Sequence, residues 1–281
     1  MTGIIRRSIP DGRNYMSDEK LKVGSCTSIG DRDTQQDLCS YAWCGNMLLA
    51  VLCDGMGGME GGELASRTGV QVALDLLREQ PPAAIHGAAE WMKTAFIRAD
   101  EAISYLQNDS GVRVNAGTTE IMVMVDGNKM QWGCVGDSRI YLKRGRTLSV
   151  ITRMHNYDLT LDRMLQTGQI NEEERKRLSA EEGEKLISYL GIGGVIGSVP
   201  IIDIGTLITL EEGDVIVLCS DGVYKSLSDA QVNSVIEECG GNMDIAAHRI
   251  VGEACRLAAN NQDNTTAIAI QYGRWNDPLI E

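Results

Sequence analysis

Several things are scarce in this 281-residue sequence, and each scarcity removes a class of explanation. It contains a single Phe, and aromatics make up 5% of the chain, so a core must be assembled from Val, Ile, Leu, Met and Ala. With five Pro and no Pro- or Ser-rich tract, repeat or low-complexity stretch, there is no linker at which to divide it, and it reads as one domain. Apolar runs such as Met47 to Cys53 fall well short of the roughly 20 residues a membrane helix needs, so no membrane partner is expected. The opening stretch, Met1 to Pro10, lacks the apolar core of a secretory signal. The eight Cys (26, 39, 44, 53, 134, 219, 239 and 255) never stand as C-x-x-C, which argues against a zinc site. Most sit inside apolar runs and read as small buried hydrophobes of a reducing, cytoplasmic compartment. Positive charge is short as well: 26 Lys and Arg face 39 Asp and Glu, a net charge of −13. Such a surface repels phosphate backbones, so no nucleic acid is expected as a partner. The only His are 86, 155 and 248, and there is no G-x-S-x-G elbow, so a Ser-His-Asp hydrolase is not expected.

What is present is an ordinary globular composition, 43% hydrophobic and 23% charged. Short Val- and Ile-rich segments separated by turn residues predict strands over 21–28, 38–44, 47–53, 119–126, 129–135, 139–143, 204–209, 214–219 and 265–271. Gly127-Asn128 marks a hairpin between two of them. Helical spacing appears over 62–79, 85–108 and 243–259. Strands come in runs and helices in runs, which predicts a sheet-on-sheet core with helices outside rather than an alternating βαβ fold. Residues 155–190 are more polar and read as two short helices on an excursion from the sheet. Residues 1–20 read as a polar arm.

Carboxylates fall at the ends of the apolar runs. Asp54 follows Leu48 to Cys53, Asp137 follows Trp132 to Gly136, Asp221 follows Val215 to Ser220, and Asp263 precedes Thr265 to Ile270. A charge at the mouth of a buried strand is unfavourable unless something pairs with it, and a hard divalent cation is one partner that does. Singly, an Asp-Gly after a strand is a turn; several in one chain are harder to read that way. Asp54-Gly55-Met56-Gly57-Gly58 lacks the G-x-G-x-x-G spacing because Glu60 stands where the third Gly would be, and no Walker lysine exists. Asp31-Arg32-Asp33 is not a calcium loop, since Gln36 occupies the position that requires Gly.

Taken in order, Gly30-Asp31-Arg32 with Gln36-Asp37, Asp54-Gly55-Met56-Gly57-Gly58, Gly117-Thr118-Thr119, Gly136-Asp137-Ser138-Arg139, Ser220-Asp221-Gly222 and Asp263-Asn264 with Thr266 resemble the metal-dependent protein phosphatases of the 2C type, in their bacterial form. The resemblance runs from about residue 21 to residue 271. It implies an α+β, four-layer αββα sandwich: two stacked antiparallel sheets flanked by helices. One phosphatase domain would span 21–273, with a flap over about 155–190 and a tail over 274–281. It implies hydrolysis of phosphoserine and phosphothreonine in proteins by a metal-bridging hydroxide. Two Mn²⁺ or Mg²⁺ ions would be held with Asp54 as the bridge, Asp37 and the Gly55 carbonyl on one ion, and Asp221 and Asp263 on the other. Asp137 with Asp221 would match a weaker third-ion site, and Arg32 the arginine that grips the substrate phosphate. The alternative for Arg32 is a surface ion pair with a neighbouring Asp, which its fixed spacing to Asp37 argues against. Partners would be phosphorylated proteins, with a paired serine/threonine kinase among them, and the chain a monomer.

Gly117-Thr118-Thr119, Ser138-Arg139 and Asn264 are expected to be structural, the threonines ordering turns, Arg139 pairing with a carboxylate and Asn264 orienting the Asp263 loop. Departures from the pattern are Met56 in place of a general-acid His, Gln35 in place of an Asn, and Met154-His155-Asn156 in place of an Asp-His-Ser turn. They leave the metal ligands intact and put flap contacts and substrate choice in question. The competing reading is a catalytically weak member acting as a phosphoprotein-binding regulator.

Overall fold

The computed structural model describes residues 20–57, 61–108, 110–191, 199–258 and 261–274. Apart from Lys20 and Arg274, the arm and the tail expected from the sequence lie outside the described residues, as do Gly58 and Glu60. The strands are β1 (Leu21–Ser28), β2 (Asp37–Cys44), β3 (Met47–Met56), β4 (Gly117–Thr118), β5 (Glu120–Asp126), β6 (Lys129–Val135), β7 (Arg139–Arg144), β8 (Thr147–Val150), β9 (Asp203–Ile204), β10 (Ile208–Thr209), β11 (Val215–Cys219) and β12 (Thr265–Tyr272). The helices are α1 (Gly61–Glu79), α2 (Ala88–Ser104), α3 (Tyr157–Gln166), α4 (Glu172–Glu182), α5 (Asp221–Tyr224), α6 (Asp229–Glu238) and α7 (Met243–Leu257).

Both sheets are antiparallel. One runs β1-β12-β11-β7-β8 and the other β10-β6-β5-β3-β2, with β9 beside β6 and β4 beside β3. The unbroken apolar runs are explained by this stacking, because a strand covered on both faces needs no polar alternation. Along β3, Leu48, Ala50 and Leu52 point into the layer between the sheets, where Ile216, Leu218, Ile268 and Ile270 meet them. Leu49, Val51 and Cys53 point the other way, onto Leu76 and Leu77 of α1 and Phe96 of α2. On the opposite sheet Val215, Val217 and Cys219 pack on Ile236 of α6 and on Ile250 and Ala254 of α7. Each fully buried Leu, Ile or Val contributes about 1.5–3 kcal/mol relative to exposure. The four layers are therefore the αββα sandwich that the sequence led us to expect.

Several elements differ from the sequence reading. The helix expected over 85–108 begins at Ala88, after a short 3₁₀ turn over Ile85–Gly87. The strand expected over 204–209 is two short pairings, β9 and β10, at the edge of β6. β8 and α6 were not anticipated. The polar stretch after residue 155 does form two short helices, and α4 has no buried residue while α3 buries only Leu161. Its two ends are tied down by bridges from Asn156 to Leu186 and from Thr118 to Leu190.

Candidate metal centre

The strand ends coincide at one end of the sandwich, and that is what gathers the carboxylates. Asp37 opens β2 and Asp54 lies near the end of β3, and the two are direct register partners. β11 ends at Cys219, opposite both Ala267 and Arg139, so Ser220-Asp221, Asp263-Asn264 and Asp137 all follow or precede the sheet at the same level. Arg32, Asp54, Gly55, Asp137, Asp221 and Asp263 line one open cleft of about 520 Å³, and Asp37 is buried beneath it with 3% of its surface exposed. The structure thus brings together every residue the sequence nominated for the site.

The backbone around Asp54 is fixed from two sides. Thr119 Oγ1 accepts from the Asp54 N–H (3.2 Å), while the Thr119 N–H and Thr118 Oγ1 donate to the Asp54 carbonyl (both 2.9 Å). The Gly55 N–H donates to the Gln36 carbonyl at 3.1 Å. A Cβ at Gly55 would strike the Gly62 carbonyl and stand 2.6 Å from the Gln36 carbonyl, so only glycine permits this approach. Asn264 joins the loop before β2 to the loop before β12. Its Oδ1 accepts from the Gln36 N–H (2.7 Å), and its Nδ2 donates to the carbonyls of Ile29 (2.8 Å) and Thr34 (3.1 Å). Gln35 Oε1 accepts from the Asp37 N–H at 3.0 Å, which gives this departure from the family pattern a definite task. Gly136 holds φ +106, and His155 clamps it: the Gly136 N–H donates to Nδ1 at 3.0 Å and the His155 N–H donates to the Gly136 carbonyl at 2.9 Å. The ring proton is then on Nε2, 3.2 Å from Asp203 Oδ2, and burial holds the imidazole pKa below its ordinary value. His155 is therefore a neutral positioning residue for the Asp137 loop. Arg139, as expected, faces a carboxylate, Asp229 at 3.7 Å, and also stacks on the Tyr224 ring at 3.9 Å.

The electrostatics of the cleft are unbalanced. Asp37 Oδ2 accepts from Ser220 Oγ at 2.7 Å, but its Oδ1 is buried with no hydrogen-bond partner. Burial pushes the Asp37 carboxyl up to about 7. Asp54 is held well above the usual carboxylate range, first by burial and then by Asp37, Asp221, Asp137 and Asp263. Asp137 is raised by burial and then by Asp221. Among the described residues two side-chain cations line the cleft: Arg32 Nη2 lies 2.8 Å from Asp263 Oδ2, and Lys225 Nζ lies 2.6 Å from Asp221 Oδ2. Neither forms an ion pair with Asp37 or Asp54. A buried carboxylate oxygen without a donor, in register with a second carboxylate, is stable only as the acid or against a cation, so hard divalent ions suit this donor set. Among the described residues no three Asp, Glu, His or Cys side chains form a closed ligand shell by themselves.

Sequence reasoning placed the carboxylates but missed three neighbours: the Ser220 hydroxyl, Lys225, and Glu184 at the end of the polar excursion, which also lines the cleft. Lys225 was findable, since it stands four residues after Asp221, on the same face of a helical turn.

A family model described as protein phosphatase 2C matches residues 27–251. The protein phosphatase PhpP of Streptococcus pneumoniae is 27% identical over 218 residues, which is 77% of this chain and 84% of that protein. The Streptococcus agalactiae serine/threonine phosphatase superposes with a TM-score of 0.75 at 26% identity, covering 90% of this chain and 99% of that one. The catalytic domain of the serine/threonine protein phosphatase PstP, crystallised with two manganese ions, superposes with a TM-score of 0.68 at 25% identity, covering 90% and 98%.

Proposed function

This chain belongs to the protein phosphatase 2C family, and from that premise we propose that its acidic cleft is the active site of a metal-dependent protein serine/threonine phosphatase. The observation that carries the reading is the pair of buried Asp37 and half-buried Asp54, which no side-chain cation among the described residues pairs with, at the foot of a cleft whose rim carries Arg32. In this reading one ion would be held by Asp54, Asp37 and the Gly55 carbonyl. A second would be held by Asp54, Asp221 and Asp263, and Asp137 beside Asp221 marks the flank where a third, weaker ion would have to enter. Mn²⁺ and Mg²⁺ both suit these oxygen donors. Bound there, such ions would supply Lewis-acid polarisation of the phosphoryl group and a more acidic water.

The chain's own residues then divide the remaining work. Arg32 is 57% exposed and already turned toward the cleft, so its planar fork exchanges Asp263 for two phosphate oxygens. Thr118, Thr119 and Asn264 keep the carboxylate-bearing loops in place through the bonds described above. The oxygen of water adds to phosphorus, the bond from phosphorus to the serine or threonine oxygen breaks, and a proton passes to that oxygen. Inorganic phosphate and a free hydroxyl side chain leave. Met56 has no proton to give, so the leaving group is protonated from water or another donor. The substrates in this reading are phosphorylated proteins, those of a paired kinase among them, met by a monomer in the cytoplasm. The eight free cysteines fit that reducing compartment. No helix among the described residues is long and apolar enough to cross a membrane.

The test is phosphate release from a phosphothreonine peptide and from p-nitrophenyl phosphate, with Mn²⁺ or with EDTA. Hydrolysis with Mn²⁺ that stops in EDTA supports the reading. Folded, metal-loaded protein that binds the phosphopeptide without turning it over would replace the enzyme with the phosphoprotein-binding regulator.

A further inference from the structure

The two flanks of the cleft are served by different side-chain cations, and one of them stands among carboxylates that otherwise call for an ion. Lys225 follows the short helix α5, and its N–H donates to the Asp221 carbonyl at 2.9 Å, which fixes the side chain on the same face as Asp221. Its ammonium reaches Asp221 Oδ2 at 2.6 Å, and the side chain lines the cleft together with Asp137, Asp54 and Glu184. Asp221 is 16% exposed and Lys225 49%, so the ammonium occupies the solvent side of a mostly buried carboxylate. The contributions around it agree. Asp221, Asp137 and Glu184 all favour the charged lysine against its burial, and Lys225 in turn offsets part of the repulsion between Asp137 and Asp221. Among the described residues no cation pairs with Asp37 or Asp54 in this way.

We propose that Lys225 is a tethered cation that takes the place of an additional divalent ion on the Asp137–Asp221 flank, so that the native cleft holds two divalent ions and not three. The inference rests on the reading of the cleft as a metal centre and adds a residue that sets its stoichiometry. An ammonium on a four-carbon stem, held by the i to i+4 spacing, neutralises Asp221 whatever the metal concentration. A divalent ion entering the same flank must first displace it. With the ammonium removed, Asp137 loses the cation that offsets its repulsion from Asp221, and an added ion finds that flank open.

The experiment counts Mn²⁺ by equilibrium dialysis, with free Mn²⁺ read by electron paramagnetic resonance, on the full chain as wild type, Lys225→Gln, and Lys225→Gln combined with Asp137→Asn. Circular dichroism and a thermal melt confirm that each variant is folded. The wild type is expected to bind two ions up to millimolar Mn²⁺. Lys225→Gln is expected to bind the same two and a third of weaker affinity, and the double variant to lose the third again. Three ions in the wild type, or two in Lys225→Gln, would overturn the role given to Lys225 while leaving the metal centre standing. Fewer than two ions in folded wild type would overturn the metal-centre reading itself, and this inference with it.

Discussion

Among the described residues two buried acids, Asp37 and Glu120, carry an unpartnered carboxyl oxygen, and they differ in what surrounds it. Asp37 lies under the cleft, in register with Asp54 and near Asp221 and Asp263, one oxygen on Ser220 and the other free. Glu120 opens β5 and follows the alternation of Met122 and Met124 into the layer beneath α1, close to Gly69 and Cys53. Both its oxygens are unpartnered and it is fully buried. Burial alone pushes Glu120 up to about 8, whereas around Asp37 and Asp54 repulsion between carboxylates adds to burial. A solitary buried carboxyl is satisfied by keeping its proton. A crowd of them beneath an open cleft, fed by several strand ends, is satisfied by cations from outside.

This contrast can be broken by substitution. The largest effect is expected at the bridge: Asp54→Asn should abolish phosphopeptide hydrolysis. Changing groups that merely orient metal ligands already costs about 10–100-fold, so loss of a ligand should exceed that, as steady-state rates in Mn²⁺ would register. Arg32→Ala should lower kcat/KM on a phosphothreonine peptide by about 100-fold, the scale for one lost transition-state donor. Arg32→Lys should recover only part of this, because the ammonium lacks the fork. Ser220→Ala removes the 2.7 Å hydrogen bond to Asp37 Oδ2 and should weaken Mn²⁺ binding by about 10-fold, measurable by titration.

Glu120→Met should leave hydrolysis unchanged and alter only stability. The folded pKa near 8 lies above the ordinary 4.5, so between those values the folded chain holds a proton that the unfolded chain has released. Wild-type stability should therefore fall as pH rises from about 4.5 to about 8, and the variant should lack that fall. At about 1.4 kcal/mol for each tenfold in proton affinity, the variant's advantage at pH 8 reaches a few kcal/mol as an upper bound, to be read from melts across pH.

Much of this could be read from the residues, and the failures have physical reasons. Leu48 to Cys53 announced a strand covered on both faces, and the aspartate ending it announced an unmet charge. That Asp37 would face Asp54 was not visible, because register between strands is set by the turn and by packing rather than by either strand alone. Helix α6 was overlooked although Ser228 and Gln231 form a capping box at its start. β8 carries no fully buried residue and so leaves no hydropathy pattern to find. Ile204 to Thr209 has strand-forming residues but meets the sheet only at an edge, and its pairing breaks in two. Glu120 is the opposite case, a charged residue where the pattern asks for an apolar one, tolerated because it can stay protonated.

The most direct test of the account is the melting temperature of wild type and Asp54→Asn, each in EDTA and in Mn²⁺. In EDTA the variant should melt higher, since the amide removes repulsion from Asp37, Asp221, Asp137 and Asp263. Mn²⁺ should raise the wild type by mass action on the folded state and move the variant little. If Mn²⁺ leaves the wild type unmoved, or raises both proteins equally, the carboxylates of this cleft are not held together by metal and the account is wrong.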